Sequence, residues 1–190
     1  MKKSIIKIAS AFIFIFFFSC ATTKEKVEEV PEVVEPVVEV EVPKAPVSAI
    51  EQEYLRSVNT VAITHETFNK DKAAIMQTIK KLANIMQASD YKKWLTFIDQ
   101  DSINYWSDKH NLNRASKLLP IKGLQMNSLQ DYFTYVFIPA RKNRTVSEIR
   151  YDSETEVKAV QIEKNVDVIY YNFKKIDDEW KVKLPPIKTK

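Results

Sequence analysis

The chain has 190 residues, 45% of them hydrophobic, 28% charged and 11% aromatic, with a formal net charge of +4. Its single Gly excludes a G-x-G-x-x-G turn or a Walker loop, both of which need several positions without a Cβ where backbone amides approach phosphate. One Cys excludes an internal disulfide, and one Cys with two distant His excludes the usual Cys/His zinc site, so no metal and no other cofactor is expected.

Lys2, Lys3 and Lys7 give a positive start, and Ile8 to Phe18 is an apolar run broken only by Ser10. The run falls short of the ~20 apolar residues that a membrane span needs. Phe12, Phe14, Phe16, Phe17 and Phe18 would make a helix apolar on every side, unlike an amphipathic core helix. Residues 1–19 therefore read as a signal peptide. Its end, Ser19-Cys20, resembles the box of bacterial lipoproteins, in which a small residue precedes a lipidated Cys. Phe17 and Phe18 depart from that pattern, which usually has Leu and a small residue there. Spirochaetal lipoproteins are similar in tolerating looser boxes. The resemblance implies that Cys20 is acylated, palmitate among its chains, and tethers the protein to a membrane at ~0.8 kcal/mol per buried methylene. The alternative is ordinary cleavage that leaves Cys20 as a free thiol.

Residues 20–48 change character. Pro31, Pro36, Pro43 and Pro46 exclude a regular helix or a central strand, and seven Glu against three Lys repel one another. The expectation is an acidic, extended spacer with a reach of roughly 75 Å at ~3.1 Å per residue. The leader carries three of the positive charges, so the mature chain has a net charge near +1 and gives no call for nucleic acid.

Residues 49–190 hold all three Trp and all eight Tyr and are expected to form one domain. Segment 57–68 is ambiguous, and β-branched Val58, Val61 and Ile63 tilt it toward a strand. Asn69 or Asp71 can cap a helix with Ile75, Ile79, Leu82 and Met86 on one face. Asp90 can cap a second, with Tyr91, Trp94, Leu95 and Ile98. Segment 103–119 is helical in pieces, with Leu112, Leu118 and Leu119 inward and Pro120 as its end. Gly123 lies in a loop. Ser128 can cap Leu129 to Phe137, and Pro139 ends that element. Strands are expected at 145–151, 154–162, 166–175 and 180–184, with 166–173 central and Asp177-Asp178 as a tight turn. Helices first and antiparallel strands last give an α+β fold, with a curved sheet packed on the N-terminal helices.

The order of these elements, and the ending YYNFKKIDDEWKV at 170–182, resemble the NTF2-like superfamily, many members of which close with an aromatic strand, a tight turn and Trp-Lys-Val. DYKKWL at 90–95 and LQDYFTYVFIPAR at 129–141 are similar to segments of spirochaetal lipoproteins. The resemblance implies a cone of bent sheet and helices with a pocket at its open end. It also implies an alternative to a binding role, because enzymes of that group use a carboxylate in the cone as general base.

Candidate chemistry is sparse. Asp99, Asp101, Tyr105, Asp108 and His110 cluster in sequence, with Asp131 and Tyr132 later, yet no spacing among them is diagnostic, and Asp99 and Asp108 also suit helix caps. His65 and His110 read as surface residues, and no Ser stands in a nucleophile elbow. No catalytic residue is assigned. Arg141, Lys142, Arg144 and Arg150 form the strongest basic cluster, suited to a phosphate or carboxylate or to a solvated loop. The first three are the candidate ligand or partner site. The function expected is that of a non-catalytic envelope lipoprotein, held to a membrane by its N-terminal lipid, whose domain binds an envelope protein or a small apolar ligand. The alternative is an enzyme of isomerase or dehydratase type.

Overall fold

Side chains that can accept a backbone hydrogen bond open the helices of this chain. In the computed structural model, which describes residues 48–187, Ser48 caps α1 (Ala49–Val58) and Thr64 caps α2 (His65–Gln87). Asp90, Asp99 and Asp108 cap α3 (Tyr91–Leu95), α4 (Gln100–Ser107) and α5 (Lys109–Leu118). Each accepts from the backbone N–H three residues on, at 3.0 to 3.2 Å, satisfying one of the donors a helix leaves open at its start. Ser128 opens α6 (Leu129–Tyr132) in a reciprocal box: its hydroxyl accepts from Asp131 N at 3.1 Å while Asp131 Oδ2 accepts from Ser128 N at 3.0 Å. The signal peptide, Cys20 and the spacer as far as residue 47 lie outside the described residues.

Three expectations about the helices are corrected. Segment 57–68 holds no strand; it is the end of α1, a turn with Asn59 at φ 43°, and the start of α2. The β-branched residues there face the core from a turn, with Val58 and Ile63 buried. Neither Asn69 nor Asp71 caps α2; both lie inside it, beyond the first turn that Thr64 opens. Pro139 does not end the third apolar segment. The chain widens into a π-turn at Phe133–Phe137 and continues as α7 (Ile138–Arg141). Ile138 N donates to Phe133 O across the wide turn. Pro139 has no N–H to give back to the preceding turn, and a local widening relieves its ring of the clash a regular helix would impose. Leu118, expected inward, is 70% exposed.

The strands come as expected. β1 (Glu148–Ser153), β2 (Glu156–Glu163), β3 (Val166–Ile176) and β4 (Glu179–Lys183) form an antiparallel sheet in the order β1-β2-β3-β4, so the fold is α+β and β3 is central. Two extra residues bend the sheet: Asp152 between the pairs Tyr151–Val157 and Ser153–Glu156, and Tyr170 between Ala159–Tyr171 and Val160–Ile169. Both later turns use two consecutive left-handed residues, Lys164-Asn165 and Asp177-Asp178, the backbone that joins twisted strands most tightly. A chain with one Gly places Asn, Asp and even Lys in that region.

The core fills the concave side of the sheet. Trp94 is fully buried, with ring centres 4.8 Å from Phe133 and 5.1 Å from Phe137. Tyr171, Phe173, Val157 and Ala159 meet them from the strands. The edge at β4 is extended by residues 97–99, where Val182 N donates to Phe97 O at 2.7 Å and Asp99 N donates to Val182 O at 3.1 Å. α1 lies against β1 at the other edge. There Glu148 takes Arg56 and Arg150 at 2.8 Å each, and Arg150 also holds Asp167 at 2.8 Å.

Candidate functional site

The sequence cluster of acids resolves into structural parts. Asp99 is buried, caps α4 and accepts from the Ser102 hydroxyl, whose oxygen accepts Leu184 N at 2.8 Å. Asp108 caps α5, and Asp131 closes the box at Ser128. Asp101 is exposed and faces Lys174 at 3.3 Å. The Tyr105 hydroxyl accepts Ile187 N at 3.2 Å. His110 is exposed on α5, and His65 stacks on Tyr54 at 3.6 Å on the surface of α2. Asp108 and Asp131 act locally at helix starts, while Asp99 with Ser102, Asp101 and Tyr105 also reach β3 and the segment after β4.

A buried acid that the sequence pattern presented as a cap, Asp71, holds three strands at once. Its carboxylate accepts from Tyr151 Oη at 2.9 Å, Trp180 Nε1 at 3.1 Å and Lys175 Nζ at 3.2 Å. One side chain of α2 thus ties together β1, β3 and β4. Burial, and then the hydrogen bond to Asp71, push the Tyr151 phenol well above its ordinary range. Each of the three donors is matched by the one carboxylate, so the cluster reads as a fastening between α2 and the sheet.

The basic cluster is divided. Arg150 is held by Glu148 and Asp167. Arg141, Lys142 and Arg144 line a cavity of about 650 Å³, within the range that small-molecule sites occupy. The C-terminal half of α2 supplies one wall through Ile79, Ala83, Met86 and Gln87; Ile138 and Tyr171 close it from α7 and β3. The lining contains no Asp and no Glu.

Arg141 is not a solvated loop residue. It is the last residue of α7, and its guanidinium lies 4.0 Å from the Phe137 ring centre and 5.1 Å from that of Tyr171. Such stacking favours a cation, by an amount that grows as water is excluded. Nη1 donates to Phe137 O at 3.3 Å. Nε is fully covered without a partner, and no carboxylate among the described residues pairs with the group. Burial pulls its pKa below the ordinary guanidinium value, yet an Arg begins so high that it remains charged at neutral pH. Burial also pushes the Tyr132 and Tyr171 phenols up, so neither supplies a negative charge beside it. Arg144 stands over Tyr170 at 5.8 Å, and Lys142 is exposed at the rim. A cation withdrawn from water usually has an anion; Arg141 has none among the described residues, and it lines the cavity.

The sequence pointed to these three cations and missed what makes them a site. The available signal was the i, i+4 spacing of Phe137 and Arg141 on one helix face. The apolar wall was legible as a helix face at Ile79 and Met86, but its distance from residue 141 along the chain hid their meeting.

No family model matches the chain, and no solved structure matches it. No helix of the described residues is long and apolar enough to cross a membrane. A protein of Treponema pallidum (strain Nichols) described as an uncharacterized lipoprotein is 32% identical over 123 residues, which are 65% of this chain and 66% of that relative. The match thus spans just under two thirds of the relative's length. This likeness supports a bacterial lipoprotein.

Proposed function

We propose that the chain is a non-catalytic lipoprotein of the cell envelope, anchored through an acylated Cys20 after removal of residues 1–19. The acidic spacer to residue 48 carries a single binding domain of NTF2-like type, residues 49–190. The bent sheet and the cavity between it and the helices are the features a cone of that type would have. The domain binds a small ligand with an apolar body in that cavity, or a protein partner at its rim of Lys142 and Arg144. The observation that carries this is Arg141: a cation enclosed by aromatic rings, open toward a cavity and without an anion. A long spacer that holds a domain away from a bilayer suits contact with a partner or a ligand.

The enzyme alternative requires a carboxylate base in the cavity. None lines it, and Asp99, Asp108 and Asp131 are engaged at helix starts. Two measurements test the proposal. Cys20→Ala should abolish fatty-acid labelling and release the protein from membranes; retained labelling would end the anchor. Native mass spectrometry of the acylated protein should find a small molecule bound, and crosslinking in intact cells should find any partner at the rim. A protein with neither, whose measured turnover is lost in Asp99→Asn or Asp108→Asn, would be the enzyme.

A further inference from the structure

The cavity beside Arg141 has two kinds of wall, and together they define a ligand class. One is aliphatic: Ile79, Ala83 and Met86 on α2, with Ile138 opposite. Residues 79 to 86 span about 10 Å of helix at ~1.5 Å per residue, the length of an extended chain of roughly eight carbons. The other wall is cationic: Arg141 packed on the rings of Phe137 and Tyr171, with Arg144 and Lys142 at the rim and no acidic residue in the lining. Of the Arg141 nitrogens, Nη1 is engaged by a backbone carbonyl and Nε is covered, while Nη2 has no acceptor and is not covered by the protein. An aliphatic slot without a cation would take any apolar molecule, and exposed cations without a slot would take any anion. Here both are built around one guanidinium.

Resting on the binding role proposed above, we infer that the ligand is an amphiphilic anion: one carboxylate or phosphate on an aliphatic chain. The anionic oxygens meet Arg141 Nη2, with Arg144 as second cation, and the chain lies along Ile79, Ala83 and Met86. A charge-assisted hydrogen bond fixes the head group, and burial of the methylenes supplies most of the affinity.

The test uses the mature acylated protein in nanodiscs of zwitterionic lipid, with empty nanodiscs subtracted. Octanoate, octyl phosphate, octanol, octylammonium, acetate and inorganic phosphate are titrated separately, followed by calorimetry and by the shift in melting temperature. The inference expects octanoate or octyl phosphate to bind at least tenfold more tightly than octanol and than the head group alone, their ranking separating a carboxylate from a phosphate ligand. Arg141→Gln should weaken the better anion about tenfold, the loss of one hydrogen bond to a charged group. Ala83→Leu, which narrows the slot and leaves every charge in place, should weaken the octyl anion and not acetate or phosphate. Octanol binding as tightly as the anions, with Arg141→Gln without effect, would overturn the anionic head and keep a binding cavity. Inorganic phosphate or acetate binding as well as the octyl compounds would overturn the chain. No binding by any probe would overturn this inference, while a different molecule found by native mass spectrometry would still support the binding role.

Discussion

Two charged side chains, the buried Asp71 of α2 and the part-buried Arg141 of α7, are treated by the protein in opposite ways. Asp71, on the first half of α2, is surrounded by three donors from three strands, at 2.9 to 3.2 Å. Arg141, across from the second half of the same helix, has a backbone carbonyl, two aromatic rings and a cavity. A buried ion with all its partners is a cross-link whose loss strands several groups at once. A buried ion lacking a counter-ion is a standing cost that stability alone does not explain. Matching therefore distinguishes the fastening at Asp71 from the binding site proposed at Arg141.

The largest break in this comparison should come at Asp71. Asp71→Ala leaves Lys175, Trp180 Nε1 and Tyr151 without their acceptor and should cost about 3 to 5 kcal/mol, read from the shift of the urea midpoint. A loss below about 1 kcal/mol would mean that the three donors find water or other partners, and the fastening would be nominal.

Tyr151→Phe removes one of the three hydrogen bonds and should cost about 1 kcal/mol at neutral pH. Its pH dependence carries more information. The phenol's pKa is raised in the fold, so its contribution is complete below the unfolded value near 10 and is lost as pH rises toward the folded one. The wild-type protein should lose stability in the alkaline range above about pH 10 more steeply than Tyr151→Phe. Tyr132 and Tyr171, also raised by burial, keep some alkaline loss in the variant. Parallel alkaline limbs in the two proteins would refute the role given to the Asp71 cluster.

Arg141→Met keeps the length and apolar body of the side chain and deletes the unmatched charge. The lost stacking on Phe137 and the relieved burial of charge oppose each other, so stability should move by no more than about 1 kcal/mol in either direction. A loss comparable with that of Asp71→Ala would make Arg141 a second fastening and remove the contrast.

The smallest effect is expected at Arg144, which is exposed and whose guanidinium stands over the face of Tyr170. Arg144→Gln should change stability by about 0.5 kcal/mol or less in thermal melts. A larger loss would place this cation in the framework as well.

The strands were readable because their signals are local. Alternation at Trp180, Val182 and Leu184 requires one buried face, and all three are buried. Asp177-Asp178 marked the turn for a chain almost without Gly, and both residues are left-handed. The caps at Asp90 and Ser128 were equally local. The misread places had two local preferences in conflict. Val58, Val61 and Ile63 favour a strand by side-chain shape, but Thr64 with its hydroxyl toward Thr67 N starts a helix there. Pro139 is a helix breaker by rule, but aromatic residues packed on Trp94 and Tyr171 hold the segment in place, and the backbone widens by one residue instead of stopping.

The sequence by itself indicated the order of helices and strands from residue 69 onward, the capping residues Asp90, Asp99, Asp108 and Ser128, the Asp177-Asp178 turn and the three neighbouring cations. Each of these depends on residues within a turn or two of one another. Tertiary structure decided which acid is a cap and which is a hub, because Asp71 meets residues 80 to 109 positions away. It also decided that Arg150 is paired and Arg141 is not. Pairing of charges is settled by which strands and helices pack together, and the chain does not write that order of contacts into any local pattern.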